Sequence, residues 1–87
     1  MTIKNLSTYQ MKVILPLLSF FESNGDIEII EVNLEDFEDS KNSKILHIET
    51  DREFNENLID QAMDYYFFIE GLHHNCENKY QIMVDLS

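Results

Sequence analysis

The chain has 87 residues, 44% of them apolar, which is enough for one domain with a modest core and too little for two. Seventeen acids against six bases give a net charge of -11 and a pI near 4.3, a field that repels phosphate and anionic lipid and so excludes nucleic acid and membrane surfaces as direct partners. A single cysteine, Cys76, excludes an internal disulfide. The apolar stretch 11–21 contains Lys12, Pro16 and Ser19 and falls short of the roughly 20 residues a bilayer-spanning helix needs, and no cleavable leader is apparent, so a cytoplasmic location is expected.

After a short lead, Ser7 or Thr8 is placed to cap a helix, and Met11, Ile14, Leu18 and Phe21 recur at helical spacing, with Val13, Leu17 and Phe20 widening the stripe. Pro16 removes one ladder bond, so a kink or a later helix start is expected there. Asn24-Gly25 marks the stop, Gly25 supplying the left-handed cap.

Residues 26–34 form the first expected strand, and its phase changes partway. Ile27 and Ile29 share one face; Ile30, Val32 and Leu34 share the other. A bulge near Ile29-Ile30 accounts for this, as does a central strand covered on both faces. Residues 35–43 read as a polar loop around Phe37, and 44–50 as a second strand. Thr50-Asp-Arg-Glu53 has capping-box spacing and predicts a second helix whose buried stripe runs Phe54, Leu58, Ala62, Tyr65 or Tyr66, Ile69 and Leu72. Residues 79–86 alternate as a third strand, with Tyr80, Ile82, Val84 and Leu86 inward.

The order αββαβ predicts an α+β two-layer sandwich: one domain over 1–87, a three-stranded antiparallel sheet in spatial order 2-1-3, and both helices on one face.

Acid is densest between Glu22 and Asp39, where eight carboxylates stand with no Lys or Arg. Such a block is usually disordered, but the interleaved Ile, Val and Leu demand burial and imply a folded anionic surface. Carboxylates on one strand face lie about 6.8 Å apart and those one helical turn apart about 6 Å, both near the spacing of phosphates along a nucleic-acid strand. Glu35, Asp36, Glu38 and Asp39 in the loop and Glu56, Asp60 and Asp64 on the second helix are the candidate contacts to a Lys- and Arg-lined groove. A solvated helix face has the same pattern, so the row by itself does not distinguish contact from solubility.

Four consecutive aromatics, Tyr65 to Phe68, exceed one helix face. Tyr66 and Phe67 are expected to be exposed as a partner surface, with Tyr65 and Phe68 in the core. His73, His74, Cys76 and Glu77 are zinc-ligand types without conventional spacing, and two histidines at a helix C-terminus have an ordinary role as dipole partners, so no metal or other cofactor is expected. No glycine-framed nucleophile, phosphate-cradling loop or zinc-hydrolase helix is present, and the chain is not expected to be an enzyme.

In size, acidity and lack of a catalytic motif the chain resembles the small phage and mobile-element proteins that imitate DNA. That class includes inhibitors of restriction enzymes, of uracil-DNA glycosylase and of CRISPR nucleases (anti-CRISPR proteins that serve host-defence evasion), and immunity proteins that block nuclease toxins. The resemblance is one of composition and carries over no residue roles. It implies an acidic inhibitor, a DNA mimic, that blocks the basic groove of a DNA- or RNA-handling protein through protein-protein interaction. The alternatives are an immunity protein, or an adaptor or regulatory subunit that uses the Tyr65 to Phe68 patch, with homodimerisation through that patch a further option.

Overall fold

The computed structural model describes residues 1–39 and 41–86; Ser40, in the expected polar loop, lies outside them. The element order is β1 (Thr2–Lys4), α1 (Thr8–Gly25), β2 (Ile29–Asp36), β3 (Ser43–Thr50), α2 (Asn57–Tyr65), β4 (Ile69–Cys76) and β5 (Lys79–Asp85). The strands form one mixed sheet in the order β1-β2-β3-β5-β4, with β1 parallel to β2 and every other pair antiparallel.

The start of α1 follows from its first residues. Gln10 N donates to Ser7 Oγ at 3.1 Å and Ser7 N donates to Gln10 Oε1 at 2.8 Å, which satisfies two backbone donors reciprocally. The helix runs through Pro16 to Gly25 and buries Ile14, Leu17, Leu18 and Phe21. Its left-handed C-cap is Asp26 (φ 51°, ψ 50°), not Gly25. Gly25 instead sits at a close approach: a Cβ there would lie 3.2 Å from both Leu58 Cδ1 and Phe54 Cβ, a tight contact.

The α+β class holds and both helices share one core with one sheet face, but the three-stranded sheet is corrected to five strands. Ile14, Leu17, Leu18 and Phe21 of α1 and Leu58, Ile59 and Ala62 of α2 pack with Val32, Leu34, Leu46, Ile48, Tyr80, Ile82 and Val84. The lead segment pairs with β2 as β1, a strand too short to carry a period. The stretch read as the end of the second helix is β4. Tyr66 leaves the helix at φ -123°, ψ 91°, and Ile69 N turns back to Tyr66 O at 3.0 Å. Because β4 is an edge strand with register shifts at Ile69/Gly71 and Leu72/His74, only Ile69 is buried and no alternation marks it.

The spatial order 2-1-3 is also corrected. The strand that forms the hub is β3, flanked by β2 and β5, because α2 carries the chain to the far edge and β5 returns beside β3. The bulge is where the phase change places it, between Ile29 and Glu31, and it leaves Ile30 exposed. Thr50, expected to cap α2, ends β3 instead: its buried hydroxyl donates to Arg52 O at 2.6 Å, and α2 starts at Glu56 without a side-chain cap.

Candidate partner-binding surfaces

The second helix buries Leu58, Ile59 and Ala62 and turns Asp60, Gln61, Met63, Asp64 and Tyr65 to solvent. Glu56, Asp60 and Asp64 follow one another at i, i+4 and i+8, about 6 Å per turn. Glu56 is tied to the sheet, its Oε2 accepting from Asn75 Nδ2 at 2.6 Å. Among the described residues no ion pair engages any of the three. The sequence explains why: the 26 residues between Arg52 and Lys79 hold six carboxylates and no Lys or Arg.

The helix row leads directly into aromatics. Tyr65 is 72% exposed and Phe67 96% exposed. Tyr66 is half-buried, its hydroxyl donating to Pro16 O at 3.2 Å and its ring 6.0 Å from those of Phe20 and Phe68. The expected exposure of Phe67 is therefore observed. Tyr65 and Tyr66 exchange places because the helix ends between them and the extended backbone swings Tyr66 back onto α1.

The loop acids stand elsewhere. Glu35 Oε1 lies 2.8 Å from His47 Nε2, and Asp36 Oδ1 accepts from Lys44 Nζ at 2.7 Å, so both have basic partners across the β2–β3 pair. Glu38 and Asp39 are exposed. Phe37 meets the His73 ring edge-on at 6.2 Å, although β3 and β5 separate β2 from β4. A loop reaching over two strands, each about 4.8 Å wide, must lean across the sheet. By register Glu31, Asn33 and Glu35 share the face opposite the helices, whereas Asp36 falls on the face of Val32 and Leu34. Glu35 and Asp36 thus stand on opposite faces of the sheet, and only Glu35 shares the face without helices.

That helix-free face is itself ordered by register. Glu31, Glu49 and Lys79 form one cross-strand row, with Lys4 Nζ 3.2 Å from Glu31 Oε1, and Asn33, His47 and Gln81 form the next. Together they line a depression of about 200 Å³. Sequence reasoning passed over it because these residues are the polar half of three alternating strands; only the pairing register brings them together.

A second groove, of about 310 Å³, lies between the start of α1, the turn after α2 and the end of β5, lined by Tyr9, Val13, Phe67, Phe68, Asp85 and Leu86. Tyr9, 63% exposed, was also missed. Its signal is its position four residues before Val13, on the shoulder of the α1 stripe.

His73, His74 and Cys76 lie on the exposed edge strand β4 and not at a helix end, which removes the dipole explanation for the two histidines. Among the described residues no group of three or more His, Cys, Asp or Glu is placed to hold a metal ion, and no helix is long and apolar enough to cross a membrane. No family model, curated protein or solved structure matches the chain.

Proposed function

We propose that the chain is a small acidic binding protein, not an enzyme, that docks on and occludes the basic surface of a nucleic-acid-handling protein. The observation that carries this reading is the exposed face of α2, where Asp60 and Asp64, engaged in no ion pair among the described residues, run straight into Tyr65 and Phe67. Exposed aromatics are the enriched anchors of interface hot spots, and charge at the rim beside them steers the encounter. A field from a net charge of -11 accelerates encounter with a cationic partner. The turn-by-turn spacing of the acids supports mimicry of a phosphate row over a short span.

The second reading, an adaptor for which charge is incidental, is favoured by the exposure of Phe67 alone. Salt separates the two. Immobilised protein and a D60K/D64K variant are loaded with the same cell lysate at low ionic strength and eluted with a salt gradient. The proposal predicts nucleic-acid-binding proteins that leave the wild-type column at moderate salt and are absent from the variant. The same proteins leaving both columns at the same salt contradict it.

A further inference from the structure

We infer that the groove walled by Tyr9 and Phe67 accepts a single apolar or aromatic side chain from a basic segment of the partner. This rests on the reading of α2 above and adds a second element to it: the acids attract the segment, and the groove selects what the segment must carry between its cations.

Three observations support this occupant. The groove has volume enough for one large side chain, about 310 Å³, and its lining is apolar except for Asp85. Its walls are held in place: the Tyr66 hydroxyl is bonded to Pro16 O, fastening the turn that bears Phe67 to the helix that bears Tyr9, and Phe68 and Leu86 pack against the core. The charge around it is mainly acidic. Asp85 stands in the lining and Asp64 in the last turn of α2, against Lys12 alone on α1. A second copy of the chain would bring another -11 charges to this surface, whereas a segment rich in Lys and Arg relieves the repulsion.

The chain has no Trp, so the emission of a Trp-bearing probe reports only the probe's surroundings. The probes are the peptide acetyl-Lys-Arg-Trp-Arg-Lys-amide and its Trp→Ala counterpart. The inference predicts a blue shift of Trp emission on binding and an affinity for the Trp peptide about tenfold above that for the Ala peptide, a ratio set by burying one aromatic side chain. F67A and Y9A, both at exposed positions where the fold has little at stake, are each expected to remove most of that ratio. Equal affinities for the two peptides, with D60K/D64K weakening both, overturn the groove and leave the acidic helix standing. No binding of either peptide overturns both. A wild-type dimer in sedimentation that F67A converts to monomer makes the groove a self-interface and overturns it as well.

Discussion

Replacing Tyr80 with Phe removes one oxygen from the middle of the core and nothing else. Tyr80 is 2% exposed, and its ring stacks on Phe54 with centroids 4.2 Å apart. Its hydroxyl accepts from Phe54 N at 2.9 Å and donates to Phe54 O at 3.1 Å, so a single side chain satisfies both backbone groups of the segment that enters α2. In Y80F the stacking and the apolar burial remain, and the two Phe54 groups lose their partner. At about 1–3 kcal/mol per orphaned group, less what water recovers, the loss is about 2–4 kcal/mol. For a chain of this size that lowers the thermal midpoint by about 10–20 °C.

The same hydroxyl sets an alkaline limit. Burial, with smaller contributions from the Glu53 and Glu56 charges, raises the Tyr80 phenol above its ordinary 10.0, against the opposing pull of the Phe54 hydrogen bond. Above pH 10.0 the unfolded chain releases this proton before the folded chain does, so stability falls as pH rises, by at most about 1.4 kcal/mol per pH unit until the folded-state value is passed. Y80F lacks this component. Urea unfolding followed by circular dichroism, at neutral pH and in steps above pH 10.0, measures both effects. A neutral-pH loss under about 0.5 kcal/mol together with an unchanged alkaline limb would refute the clamp.

Three further outcomes are expected. The Asp51 carboxylate is held below the usual 3.8, first by the hydrogen bond from Glu28 N and then by Arg52. Its contribution is present above pH 3.8 and lost as pH falls through the lower folded value, so D51N should show a flatter acid limb in urea midpoints. Glu49 faces Glu31 across β2 and β3 and Lys79 across β3 and β5, so E49Q removes one repulsion and one attraction together and should change urea-unfolding stability by less than about 0.5 kcal/mol at low or high salt. S7A, which removes one half of the α1 capping box, should cost about 1 kcal/mol in thermal or urea unfolding.

What the sequence disclosed and what it hid follow the range of the forces involved. The α1 stripe and its Ser7 cap are local, and both were readable. So were the slip in phase at Ile29-Ile30 and the inward set Tyr80, Ile82 and Val84, because alternation within one strand is a property of that strand. The edge strands were not readable. β1 is three residues long, and β4 is exposed along nearly all its length, so neither writes a hydrophobic period into the chain. The Thr50 capping spacing misled because the hydroxyl had a nearer acceptor in Arg52 O, and Thr50 N and the Asn78 backbone close the end of β3.

The candidate surface divides in the same way. That four aromatics overfill a helix face is arithmetic on the sequence, but α2 ends at Tyr65 and Phe67 is exposed in the turn that follows, for a reason the arithmetic did not contain. Which neighbour turns in depended on Pro16, fifty residues away, whose carbonyl receives the Tyr66 hydroxyl. Glu35 and Asp36 read as free acid; the pairing of β2 with β3 gives them His47 and Lys44. The acids of α2 had no base within reach along the chain and acquired none among the described residues in the fold.

The most direct test of α2 and its aromatic end as the binding surface is a map of backbone amide shifts in the isotope-labelled chain titrated with the Trp-bearing basic peptide. The account predicts that the perturbed amides gather at Tyr9, Val13, Asp60, Asp64, Phe67 and Leu86. Shifts centred on Glu31, Glu49 and Gln81 of the open sheet face, or spread evenly over every carboxylate-bearing surface, would contradict it.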